Sequence, residues 1–184
     1  MGGDSTSVGA QLLGEVQQIF GTDSAFAALK IHGSVVTWGQ ALHGGDSTSV
    51  QAKLQDKVQQ VVGIHSAFAA LKNDGSIVTW GESGHGGDST SVHAKLQGEV
   101  QQICGTHSAF AALKNDGSIV TWGSHLHGGD STSVCAQLQS EVQQIFSTSY
   151  AFAAIKNDNS VVTWGLPCCS GNSTRVRAQL QGEA

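Results

Sequence analysis

The sequence predicts an all-β repeat protein, a propeller-like array of four 42-residue units, each with three strands plus a short helix or turn. Three observations carry this. The stretch Ser24–Gly39, SAFAALKIHGSVVTWG, returns as SAFAALKNDGSIVTWG at Ser66–Gly81 and again, letter for letter, at Ser108–Gly123. It returns once more as YAFAAIKNDNSVVTWG at Tyr150–Gly165, always at a step of 42 residues. A fixed period of this size marks a repeat architecture before any other fold class is considered. Second, each copy reads as a β-hairpin. Asp74-Gly75 stands between two apolar runs, where Gly supplies positive φ without steric cost. Third, the chain holds 24 Gly in 184 residues, and charged residues make up only 12% of it. Ordinary domains hold roughly 25% charged residues, so this chain is rich in turns and poor in charge.

The four units are Gly2–His43, Gly44–His85, Gly86–His127 and Gly128–Cys169, all in a single repeat domain over residues 1–184. Ser170–Ala184 begins a fifth unit and reads as a partial unit or cap. Each full unit opens on a polar turn, GGDSTSV. In the second unit a helix of one to two turns is expected over Val50–Gln55, capped by Ser or Asp, with Val50, Leu54 and Val58 on one face. A strand follows at Val58–Val62. Ala67–Leu71 and Ile77–Trp80 form the hairpin, and their β-branched and aromatic residues suit a pleated surface. Phe26, Phe68, Phe110 and Phe152, with Trp38, Trp80, Trp122 and Trp164, are expected in the core between units. Each buried indole N–H needs a partner. Lys30, Lys72, Lys114 and Lys156 flank the hairpin turns and read as solvated edges. One such unit cannot bury its apolar surface alone, so stacking against neighbours must do it. A closed four-blade ring, an open arc, and two arcs paired as a homodimer all fit this pattern.

The totals bound the function. The formal net charge is −5 with no basic block, which argues against a general nucleic-acid surface. No run of about 20 apolar residues suggests a membrane span. Cys104, Cys135, Cys168 and Cys169 do not follow the repeat step, so they read as free thiols in a reducing compartment. The expected location is therefore intracellular, cytoplasmic or nuclear. No signal peptide is read at the N-terminus.

Two repeat columns carry residue types that bind metals. His43, His85 and His127 share one column, with Cys169 in the fourth place; these are zinc or copper ligand types. One ion would require them to converge near a ring axis; otherwise they are loop residues packed on the next turn. Asp4, Asp46, Asp88 and Asp130 recur in GGDSTS. They read as Asx turns or helix caps, with a calcium ring as the alternative. No Ser, His and Asp grouping rises above the repeat background, so no enzyme activity and no cofactor are expected. The links between units vary while the hairpins hardly do. Loops on a rigid frame carry recognition. The links therefore supply the candidate partner-binding residues: Gln40, Leu42, Glu82, Ser83, Ser124, His125, Leu166 and Pro167.

The run V-x-x-I, a short turn, then S-A-F-A-A-L-K-N-D-G-S-I-V-T-W-G resembles the repeat of the regulator-of-chromosome-condensation (RCC) family. The matching stretches are Val16–Gly39, Val58–Gly81, Val100–Gly123 and Val142–Gly165, and D-G-x-[IV]-x-x-W-G is their most specific part. Members build β-propellers, commonly of seven blades. They include a nucleotide-exchange factor for a small nuclear GTPase, light-sensing proteins, blades attached to ubiquitin-ligase domains, and an inhibitor of β-lactamases. The resemblance implies a propeller fold and a protein partner. The chain is thus expected to be a non-catalytic interaction scaffold. The alternatives are a small-ligand or metal module built on the His43, His85, His127 and Cys169 column, and a targeting fragment of a larger ubiquitin-ligase-like protein.

Overall fold

The computed structural model describes residues 3–169. Within them the period of 42 becomes four three-stranded antiparallel sheets. The first holds β1 (Val16–Gly21), β2 (Ala25–Lys30) and β3 (Val35–Gly39); the second β4 (Val58–Gly63), β5 (Ala67–Lys72) and β6 (Ile77–Gly81). The third holds β7 (Val100–Gly105), β8 (Ala109–Lys114) and β9 (Ile119–Gly123); the fourth β10 (Val142–Ser147), β11 (Ala151–Lys156) and β12 (Val161–Gly165). Register repeats with the sequence: Phe26 faces Trp38, Phe68 faces Trp80, Phe110 faces Trp122 and Phe152 faces Trp164 across the second and third strands.

The hairpin turn forms as the Asp-Gly signal requires. Lys72 N–H donates to Ser76 O, Gly75 N–H donates to Lys72 O, and Gly75 sits at φ +75°. The Asp residue of GGDSTS closes an Asx turn: Thr48 N–H donates to Asp46 Oδ1 over 2.9 Å. The same bond recurs at Asp4, Asp88 and Asp130. The helix expected after it is a 3₁₀ turn, Thr48–Leu54, with Leu54 and Val58 buried and Val50 half-buried against the same core. Only the first unit forms an α turn here, α1 (Gly9–Leu12).

Cores lie between sheets. Ala67, Ala69, Leu71 and Ile77 of the second sheet pack on Ile103, Phe110, Val120 and Trp122 of the third. Side chains alternate along a strand, so one set of positions faces forward and the other backward. Alanine at 69 and 70, both 0% exposed, keeps the sheets close on either side of β5. Two glycines make the Phe–Trp pair possible. A Cβ on Gly86 would lie 2.7 Å from the Phe110 ring, and one on Gly87 would lie 2.3 Å from Gly81 O. The Trp122 indole N–H donates to Gly86 O over 3.1 Å; Trp80 and Trp164 do the same to Gly44 O and Gly128 O. The H-G-G step therefore supplies both the clearance for Phe and the acceptor for Trp.

The first strands of successive sheets pack on each other, and the third strands pack on the 3₁₀ turns, so the sheets converge at their first strands. No substantial contact joins the first sheet to the fourth among the described residues. The array is an open arc there. This corrects the expectation for Phe26. It is 36% exposed, while Phe68, Phe110 and Phe152 are 0, 0 and 1% exposed, because among the described residues no sheet covers the front of the first unit. The flanking lysines also differ from expectation. Their side chains are only 15–18% exposed and pair with acids: Lys30 with Glu15, Lys72 with Asp56, Lys114 with Glu99 and Lys156 with Glu141. Long lysine stems lie along the sheet edge and leave only the charged head near water.

Candidate functional site: a histidine-lined rim

In each unit the first strand ends, the second begins and the third ends at the same edge. The β1–β2 turn and the link after β3 must then share one rim. Hydrogen bonds stitch them together: Gln40 N–H donates to Ser24 O and the Thr22 hydroxyl donates to His43 O over 3.0 Å. Glu82, Ser124 and Leu166 repeat the first bond to Ser66, Ser108 and Tyr150. The links themselves are 3₁₀ turns, Ala41–His43, Ser83–His85, His125–His127 and Pro167–Cys169.

This stitching gathers histidines that stand 20 or 22 residues apart in the chain. His43, His85 and His127 end the links; His65 and His107 sit in the β4–β5 and β7–β8 turns. Their rings form one row. His43 lies 5.9 Å from His65, His65 lies 5.6 Å from His85 and 4.2 Å from His107, and His107 lies 5.5 Å from His127. Tyr150, at the place of the buried Ser66 and Ser108 and the half-buried Ser24, extends the row at 5.4 Å from His127. Backbone bonds run beneath it from unit to unit: Asp23 N–H to His65 O, His65 N–H to His107 O, and His107 N–H to Ser149 O.

The row is polarised in a consistent way. His65 Nδ1 meets Asp23 Oδ2 at 2.7 Å, and His85 Nδ1 meets Glu82 Oε2 at 2.7 Å. His107 Nδ1 meets Ser108 Oγ at 2.8 Å, and His127 Nδ1 meets Ser124 Oγ at 3.1 Å. A carboxylate only accepts, so Asp23 and Glu82 fix a proton on Nδ1 of their histidines and leave Nε2 for other contacts. His43 departs: its Nδ1 is buried with no partner, because Gln40 stands where Glu82 and Ser124 stand. Burial, then the neighbouring imidazoles, hold His107 and His127 below the usual histidine range. The hydrogen bond from His85 holds the Glu82 carboxyl below its usual value. At neutral pH His107 and His127 are thus held uncharged, on a rim that also carries the Glu82 carboxylate.

The sequence-predicted residues fall on this rim. Gln40, Ser83, His125 and Pro167 are exposed, Leu42 and Leu126 are 71% and 53% exposed, and Glu82, Ser124 and Leu166 are half-buried. His43, His85 and His127 are on it too, interleaved with His65 and His107 rather than gathered on an axis. Among the described residues no three His, Cys, Asp or Glu side chains stand where they could hold one metal ion. The Cys169 side chain lies outside the described ones. The sequence reading missed His65, His107 and Tyr150 as members of the row. Their signal was positional: each occupies the turn between first and second strands, at the edge where the links end. Away from the rim, a recess of about 630 Å³ lies beside Lys95, Asp130 and Cys135.

Neither a protein-family model nor a curated protein sequence matches the chain. Solved structures do match. Human WBSCR16 is similar at 20% identity and a TM-score of 0.57, covering 87% of this chain and 50% of its own. Prp20p from Saccharomyces cerevisiae is similar at 13% identity and a TM-score of 0.52, covering 82% of this chain and 45% of its own. The ectodomain of the Arabidopsis thaliana receptor kinase ACR4 matches at 16% identity and a TM-score of 0.54, over 82% of this chain and 50% of its own. The chain spans about half the length of these structures. A second structure shows the yeast protein, there called RCC1 (Prp20), bound to Kap60. No helix among the described residues is long and apolar enough to cross a membrane. In fold, the chain is a β-propeller-like array of four three-stranded blades, similar to these structures.

Proposed function

We propose that the chain is a non-catalytic scaffold that holds a protein partner on the histidine-lined rim. One observation carries this reading: side chains that differ from unit to unit are presented on turns that do not. The link residues Gln40, Leu42, Glu82, Ser83, Ser124, His125, Leu166 and Pro167 stand at matching places on four stitched 3₁₀ turns. Leu42 and Leu126 project as large apolar groups between polar neighbours, the pattern of an anchor residue within a polar surround. Structurally similar proteins are consistent with this use. Yeast RCC1 (Prp20) has been seen bound to Kap60, and Prp20p is described with binding properties toward Gsp1p and histones.

Changing Leu42, His125 and Leu126 together to alanine tests the reading. The melting temperature should hold, since these side chains support no core. Proteins captured by chemical cross-linking to the wild-type rim should be lost from the variant. An unchanged captured set would overturn the assignment of the rim. A second copy of the chain is a different class of partner and would use the end sheets, not the rim.

A further inference from the structure

Repeat symmetry gives the end sheets a property that the inner sheets do not reveal. Each junction joins the back of one sheet to the front of the next, and this chain builds that junction three times. The front of the first sheet is then a copy of a surface that is buried elsewhere. Ile19 is 54% exposed, whereas Val61, Ile103 and Ile145 at the same place are 1, 3 and 1% exposed. Phe26 is 36% exposed against at most 1% for its three equivalents. The back of the fourth sheet is the complementary surface. Phe146 is 44% exposed, and Ile155 and Val161 are half-buried where Leu71 and Ile77 are 2% and 4% exposed. Large apolar groups exposed together mark an interaction surface. Here the matching surface is known, because the chain itself carries it at its other end.

The backbone agrees. At each inner junction the β1–β2 turn donates an N–H to the turn of the next unit, and the first strand of the next unit donates back to the hairpin turn, as His107 N–H to Ser149 O and Val142 N–H to Gly117 O. On the end sheets Ser149 N–H and Asn159 C=O hold the corresponding places at the back. Asp23 C=O and Val16 N–H hold them at the front.

We propose that two copies of this chain associate head to tail, the front of the first sheet of each seating on the back of the fourth sheet of the other, to close a ring of eight sheets. Eight is within the four to eight blades that propellers use. A surface that meets a different surface of its copy either closes in this way or grows without end. One position sets the tightness of the fit. Gly33, Gly75 and Gly117 sit so close to the next unit that a Cβ would lie 2.6–2.8 Å from its backbone nitrogen. The fourth unit carries Asn159 there, at φ +65°. Its Cβ obliges the junction between copies to open by a few tenths of an ångström at that corner, so that junction is looser than the inner three.

Sedimentation of the full chain at tens of micromolar tests this. A species of about 38 kDa, twice the 19.0 kDa chain, is expected. A strict monomer, or an unlimited ladder of sizes, would overturn the proposal. Two variants locate the surfaces: Ile19→Asp with Phe26→Asp blocks the front, and Phe146→Asp blocks the back. These side chains are already exposed, so a retained circular dichroism spectrum should show that each variant folds. Each alone should be monomeric, and mixing them should restore a heterodimer through the one unblocked junction. If either variant alone stays dimeric, or if the mixture stays monomeric, the head-to-tail arrangement is wrong. Asn159→Gly should tighten the wild-type association several-fold by relieving the corner; an unchanged or weaker dimer would contradict this docking. The rim residues are untouched by these changes, so this test stands or falls separately from the partner capture.

Discussion

Replacing Gly117 with Asn isolates what a close approach between blades is worth. The four hairpin turns end on Gly33, Gly75, Gly117 and Asn159, at φ +78°, +75°, +76° and +65°. Asn visits this left-handed region readily, and the fourth unit shows it doing so here. The dihedral therefore does not distinguish residue 117 from residue 159; the neighbour does. A Cβ at 117 would lie 2.7 Å from Glu141 N and 3.1 Å from Val142 N. That backbone cannot swing aside, because Val142 N–H donates to Gly117 O and Asn157 N–H donates to Glu141 O. Forcing an atom into a packed contact of this kind costs about 1–3 kcal/mol. With a urea slope of about 2 kcal/mol/M, the midpoint should fall by about 0.5–1.5 M. Tryptophan fluorescence during a urea titration reads this. Amide exchange adds the location: in a repeat array each unit couples to its neighbours, so β10–β12 should lose protection before β4–β6. A midpoint unchanged within about 0.2 M, or exchange that rises evenly over all four sheets, would refute the reasoning.

Trp122→Phe should cost about 1–3 kcal/mol in a urea titration, since it strands the Gly86 carbonyl that the indole N–H satisfies while keeping most of the apolar contact. His107 and His127 are held below 6.5, so the unfolded chain takes up protons first as pH falls. Stability should accordingly decline from about pH 6.5 downward until the folded forms protonate as well, and His107→Gln with His127→Gln should flatten the melting temperature between pH 7 and 5. A wild-type profile that is already flat would count against it. Gln40→Glu should give His43 Nδ1 the partner that Glu82 gives His85; NMR should show a hydrogen-bonded Nδ1–H on His43 that the wild type lacks, with a gain in stability of less than about 1 kcal/mol.

What was legible in the sequence follows a physical line. The hairpins, the Asx turns and the Phe–Trp pairing depend on residues close in the chain or in fixed register, and each could be read from one unit. Phe26 could not, because its sequence context matches that of Phe110 and only the missing neighbour differs. The lysines read as solvated because charge predicts exposure, yet each stem lies on its own sheet beside an acid from before the first strand. The histidine row was half legible: a column of His43, His85 and His127 is visible at one period, but His65 and His107 belong to another column. Only the antiparallel path of three strands, which returns link and turn to one edge, brings the two together. Gly44, Gly86 and Gly128 read as turn residues; their function as the acceptor and clearance for an aromatic pair 24 to 36 residues later needed coordinates.

The identity of Ser66–Gly81 with Ser108–Gly123 reaches beyond the finished fold into how it is attained. During refolding β4 meets two indistinguishable hairpins, its own at β5–β6 and a copy one unit along. Local pairing energies cannot choose between them; chain length and the fidelity of the flanking 3₁₀ turns must. A loop that skips one unit would leave 42 residues bulged out while every remaining contact looked native. The differences between these two units, at Gln51/His93, Asp56/Gly98, Lys57/Glu99, Val61/Ile103, Val62/Cys104, Ile64/Thr106 and the links, then serve as an address label, letting each β-hairpin find its own place among near-identical siblings.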